Sequence, residues 1–164
     1  MIAETIIIGL GNLYQRDDGI GVRVVNELVR RAALPPGVQA EELGMGGLAV
    51  LHALRGRRNG VLVDCAYMHE PPGTWRVFRP DEVDSQRVSM RYSLHEGDLL
   101  QTLALADRLG EGADEVRIIG IQPACVEPGE ALSDPLQERF EDYLRVAVNT
   151  ATQCAPDVAM NDVS

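Results

Sequence analysis

Asp17, Asp18, Asp64 and His95 are the residues of this 164-residue chain whose types and surroundings suit chemistry. The two adjacent acids follow Gly9-Leu10-Gly11-Asn12, Asp64 closes the apolar run Val61-Leu62-Val63, and His95 follows Ser93-Leu94. Two carboxylates and an imidazole form a donor set for a divalent transition metal, and so small a set leaves coordination positions open. At a helix N-terminus His95 would feel the positive end of the macrodipole, which favours the neutral ring that metals bind.

Each of these residues also has a plainer account. Asp17 is a good N-cap for a helix beginning at Asp18, and Asp18 itself suits the first-turn dipole. Asp64 is harder to explain away, because a carboxylate directly after three buried apolar residues is costly without a partner. His95 alone carries little; the combination carries the expectation.

Other chemistries fit less well. All fifteen basic residues are arginine, so a lysine nucleophile or Schiff base is excluded. The chain has no G-x-S-x-G elbow and no H-E-x-x-H, and His52 and His69 do not pair at metal-ligand spacing. Cys65 lacks the helix N-terminus or neighbouring histidine that would activate a thiol; it and Cys125 read as small buried hydrophobes. Gly9-Leu10-Gly11 begins like a dinucleotide fingerprint, but Tyr14 stands where the third glycine belongs. No organic cofactor is expected. A small-molecule or nucleotide-binding module using that glycine turn remains an alternative, although Asp17 and Asp18 would repel an anion at its mouth.

The elements that must position these residues follow from hydrophobic pattern. Thr5 to Leu10 reads as a central strand buried on both faces. A helix is expected from Asp18 to Ala33, a weaker strand from Val38 to Leu43, and a short helix from Leu48 to Leu54. Val61 to Asp64 is a second buried strand, and Thr74 to Phe78 an edge strand after Pro71-Pro72-Gly73. Pro80 to Tyr92 reads as a surface loop, and Ser93 and Glu96 form a capping box for a helix running to Leu109. Val116 to Ile121 is the last strand, and Ser133-Asp134-Pro135 opens a final helix. The expected fold is α/β, a three-layer αβα sandwich around a mostly parallel, twisted sheet of about five strands. It would place Asp17 or Asp18, together with Asp64 and His95, at the carboxyl edge of the sheet, where open α/β folds hold their ligands.

Length implies one domain, residues 1–154, with a flexible tail at 155–164. The net charge of −10 disfavours nucleic acid and anionic membranes, and Arg55, Arg57 and Arg58 read as a polar turn. No apolar run approaches the roughly 20 residues of a membrane span. Three cysteines without close pairing fit a reducing compartment, so a cytoplasmic monomer is expected.

The assembled pattern resembles the hydrogenase maturation proteases. Gly9-Leu10-Gly11-Asn12, Asp17-Asp18-Gly19-Ile20-Gly21, Val63-Asp64, Ser93-Leu94-His95, Gly120-Ile121-Gln122-Pro123 and Glu127-Pro128 stand in that family's order and register, over residues 5 to 150. One block departs from it: where the family often has an acid followed by Gly-Gly-Thr, this chain has Glu42-Leu43-Gly44-Met45-Gly46-Gly47. The resemblance implies an endopeptidase of the aspartic type, a hydrolase that removes the C-terminal extension of a nickel-loaded [NiFe]-hydrogenase large-subunit precursor. That precursor would be the partner. The resemblance also puts the family's metal-contacting and catalytic positions on Asp18, Asp64 and His95, with nickel carried by the substrate. Asp18 would be either a ligand or the base that orients water. A nickel-assembly protein without proteolysis is the other alternative.

Overall fold

A computed structural model describes residues 2–82 and 96–153. His95, the capping box at Ser93 and the tail lie outside those residues. Five strands form one sheet in the order β2-β1-β3-β5-β4: β1 (Thr5–Leu10), β2 (Val38–Gly44), β3 (Asn59–Cys65), β4 (Trp75–Phe78) and β5 (Glu115–Ile121). The first four in that spatial order are parallel, and β4 pairs antiparallel with β5 at the edge, with Trp75 opposite Ile121. Every residue of β1 and β3 is buried. Burial on both faces is why these strands read as unbroken apolar runs while edge strand β2 reads as mixed.

Two hydrophobic layers cover the sheet. Alternate residues Ile6, Ile8, Leu62 and Ile118 pack against Val50 and Leu54 of α2 (Leu48–Leu54) and Leu99 and Leu103 of α3 (Glu96–Arg108). The opposite set, Ile7, Val61, Val63 and Ile119, meets Ile20, Val24, Val25 and Leu28 of α1 (Ile20–Arg30). Leu136 of α4 (Asp134–Glu138) and Tyr143, Leu144 and Ala147 of α5 (Phe140–Gln153) complete that layer. The expected three-layer αβα sandwich is therefore the observed fold. Tyr143 is fully buried; its hydroxyl donates to the Gly73 carbonyl at 2.7 Å, and its ring stands edge-on to Trp75.

Local differences from the sequence expectation have physical causes. The helix expected from Asp18 begins at Ile20, because Arg16–Gly19 forms a 3-10 turn first. It ends at Arg30 rather than Ala33, since Ala32 adopts a left-handed φ of 52°. The final helix is two: Arg139 (φ −102°, ψ 7°) interrupts it between α4 and α5. Strand β2 extends one residue further, to Gly44, whose carbonyl accepts from Gly11 N–H at 2.7 Å.

Candidate active site

The chain leaves β1 for β2 on one side and returns over the other face to β3 on the other side, so β1 and β3 flank the point where strand order reverses. Crevices in open α/β sheets form outside the carboxyl ends of such strands. Asp18 follows β1 and Asp64 lies in the last turn of β3.

Glycine makes the approach of these two segments possible. A Cβ on Gly21 would lie 2.0 Å from the Val63 carbonyl oxygen and 2.5 Å from that of Leu10, and one on Gly11 would lie 1.9 Å from the Asp18 carbonyl oxygen. No side chain fits at those separations, so the first turn of α1 rests backbone-on-backbone on the ends of β1 and β3. In dinucleotide-binding turns the third glycine permits close helix packing. Here Gly21 serves that purpose inside the helix, and Tyr14, at the expected third position, is exposed. The Asp18 backbone packs directly on Gly11, so this glycine serves the chain's own packing.

Asp18 is 2% exposed. Its Oδ2 accepts from Asn12 N–H at 2.9 Å, and Asn12 Oδ1 in turn accepts from Tyr14 N–H. Its Oδ1 is buried without a hydrogen-bond partner among the described residues. Burial raises its pKa above the usual carboxylate value, and the Asn12 bond only partly opposes this. Asp64 is equally buried, and its Oδ1 accepts from Cys65 N–H at 2.8 Å. By strand alternation Asp64 belongs with Leu62 and Ala66, on the face covered by α2 and α3. The Cys65 thiol registers the shared field: burial pushes its pKa well up, and Asp64, Asp18 and Asp17 add to the shift in that order. Cys65 is an inert buried thiol, as expected.

Asp17 differs from its expected role. It is fully buried, but it caps no helix; both carboxylate oxygens accept hydrogen bonds from the segment after β5. Cys125 is likewise not a buried hydrophobe: it is partly exposed, and its Sγ accepts from the Arg16 guanidinium at 3.1 Å. Gln122, in the block Gly120-Ile121-Gln122-Pro123, has a role that no local pattern signals. Its Oε1 accepts from Met68 N–H at 2.7 Å, its backbone N–H donates to Thr74 and its carbonyl accepts from Gly73, so it shapes the segment after β3. Glu42 is exposed in β2, opposite Gly9. The turn at Arg55 to Arg58 is structural, with Arg57 donating to the Ala3 and Ala53 carbonyls.

Among the described residues no three His, Cys, Asp or Glu side chains form a metal-holding group. His95, the expected third member, lies outside them. A cavity of about 510 Å³ opens elsewhere, between α3 and the amino end of β5, and includes neither Asp18 nor Asp64.

A doubly wound sheet with two buried carboxylates, Asp18 after β1 and Asp64 near the end of β3, defines a small α/β protein with acids at its switch point. Residues 22–150 match the family model described as hydrogenase maturation protease. The hydrogenase expression/formation protein HoxM of Azotobacter vinelandii is 34% identical over 144 residues, covering 87% of this chain and 70% of that protein. The hydrogenase 2 maturation protease of Escherichia coli is 25% identical over 162 residues, 96% of this chain and 98% of that one. The solved structure of the E. coli hydrogenase maturating endopeptidase HybD superposes with a TM-score of 0.81 at 25% identity, covering 92% of this chain and 93% of that chain. This chain belongs to the hydrogenase maturation protease family and is an endopeptidase.

Proposed function

We propose that this endopeptidase removes the C-terminal extension of a [NiFe]-hydrogenase large-subunit precursor after nickel has been inserted. Asp18, Asp64 and His95 complete the coordination of the nickel that the precursor carries, which anchors the scissile carbonyl beside a polarising ion. The carrying observation is Asp18 Oδ1, a buried oxygen with no partner among the described residues. Buried polar atoms are rarely left so, and an incoming cation would supply what the fold withholds. Asp64 stands on the sheet face that α3 covers, and His95 directly precedes Glu96, the first residue of α3, which supports the third ligand.

Asp18 and Asp64 contribute charge and position, and a carboxyl group whose pKa is raised by burial is also suited to take a proton from water. A precursor without nickel offers the three side chains nothing to bind, so metal loading becomes the checkpoint. The enzyme works as a cytoplasmic monomer with the precursor as its partner and no nucleic acid, membrane or organic cofactor. Cys65 and Cys125 are free thiols, consistent with a reducing compartment, and no helix among the described residues is long and apolar enough to cross a membrane.

The test incubates nickel-loaded and nickel-free precursor with the wild-type enzyme and with His95→Ala, and reads the C-terminal fragment by mass spectrometry. Wild type should cleave only the loaded precursor, and His95→Ala should cleave it at least a hundredfold more slowly, the order expected for loss of a group that acts at the reacting centre. Equal cleavage of nickel-free precursor by the wild type would overturn the checkpoint.

A further inference from the structure

Asp17 is the buried acid that the proposed reaction leaves unused. Its Oδ2 accepts from Ala124 N–H at 2.9 Å, Cys125 N–H at 2.9 Å and Ser133 Oγ–H at 2.7 Å, and its Oδ1 accepts from Ser133 N–H at 2.8 Å. Every one of these donors lies in the segment that follows β5, and none in the turn that carries Asp17. The Ser133 hydroxyl, which stands at the N-cap of α4, makes no capping bond and is turned to Asp17 instead.

The backbone continues the same joint. Asp17 N–H donates to the Cys125 carbonyl and Arg16 N–H to that of Gly129, while Gly129 N–H donates to the Tyr14 carbonyl. The Arg16 Nε–H reaches the Ala131 carbonyl at 3.0 Å. The turn Arg16–Gly19 has no side-chain cap of its own, and Arg16 holds a left-handed φ of 48°, a conformation that persists only where surroundings enforce it. Successive residues of a 3-10 turn point about 120° apart. Asp17 therefore grips the segment after β5 while Asp18 faces Asn12, and the placement of one fixes the placement of the other.

We infer that Asp17 is a positioning residue: by binding the segment Ala124 to Ser133 it holds the 3-10 turn against the sheet edge and sets where the Asp18 carboxylate stands. This rests on the reading of Asp18 as a ligand of the substrate's nickel. A neutral acceptor cannot replace it. Asparagine turns one oxygen into a donor that faces N–H or O–H groups, so at least one bond is lost and one donor is left buried and unpaired.

The experiment measures processing of nickel-loaded precursor by the full-length chain, normalised to folded enzyme by circular dichroism, for wild type, Asp17→Asn, Ser133→Ala and Asp18→Asn. A group that only stabilises the fold changes the amount of active enzyme and leaves KM alone. Positioning predicts that KM rises about tenfold in Asp17→Asn, the scale of a lost charged hydrogen bond, and about threefold in Ser133→Ala, which keeps the three backbone donors. A wild-type KM in folded Asp17→Asn overturns the inference. If Asp17→Asn does not fold, a wild-type KM in Ser133→Ala overturns it. Wild-type processing by Asp18→Asn would instead overturn the reading of the site on which the inference stands, which separates the two failures.

Discussion

Asp18 is held in the fold at a cost to stability. An ionised carboxylate that is 2% exposed, with one oxygen unpartnered among the described residues, costs the folded state free energy that the unfolded chain does not bear. Its pKa is raised on folding, so the folded chain holds the proton at pH values where the unfolded chain has lost it. Stability from this group is therefore fullest below the ordinary carboxylate range and declines as pH climbs through the raised value. Asp18→Asn cannot ionise and lacks that decline. Thermal unfolding followed between about pH 4 and about pH 8 should show the variant gaining on wild type as pH increases. At neutral pH the variant should melt a few degrees higher while losing processing. A variant that melts lower than wild type at neutral pH would show that the buried charge is compensated.

At the scale of elements, the joint between α1 and the strand ends governs the site. Gly21→Ala places a methyl group 2.0 Å from the Val63 carbonyl oxygen, which neither strand nor helix can yield without moving apart. The expected cost is about 1–3 kcal/mol in urea denaturation, typical of overpacking, with a loss of processing larger than the fraction unfolded explains. Tyr143→Phe is the contrasting change. It removes the bond to the Gly73 carbonyl, far from Asp18 in sequence, and should cost about 1 kcal/mol with processing retained per folded molecule.

The same elements show what was legible beforehand. Strands β1 and β3 announce themselves because burial on both faces demands unbroken apolar residues, and α1 because its buried stripe repeats with helical spacing. Asp64 was legible for the opposite reason, since a charge at the end of such a run needs an explanation, whereas Asp18 was set apart from Asp17 only by the family resemblance. The role of Asp17 was not legible, since an N-cap is defined by local sequence whereas its partners lie more than a hundred residues away. Its neighbour Ser133 misled in the same manner, being a well-placed cap residue whose hydroxyl is used elsewhere. The break at Arg139 carries no strong local signal, because no proline or glycine marks it, and the 3-10 turn before α1 carries none either, because the acids at Asp17 and Asp18 suit the first turn of an α-helix equally well.

For the whole molecule, the two hydrophobic layers share one sheet, and no described element stands apart from them. Residues 1–154 are proposed to unfold as one unit, so far-ultraviolet dichroism and the fluorescence of Trp75, which packs on Tyr143, should report coincident urea transitions. Separate midpoints would mean a second cooperative unit. Removing residues 155–164 should leave the midpoint unchanged.

A seam made of peptide groups has a further meaning for how far such a sequence can drift. Leucines and isoleucines in the two layers can be exchanged for one another with modest adjustment, because side chains have alternative rotamers and volumes to trade. Carbonyl oxygens pressed on a glycine have none. The fold shared with the E. coli endopeptidase, a TM-score of 0.81 at 25% identity, is what such an arrangement permits: side chains can change while the seam between α1 and the ends of β1 and β3 is held by atoms every residue possesses.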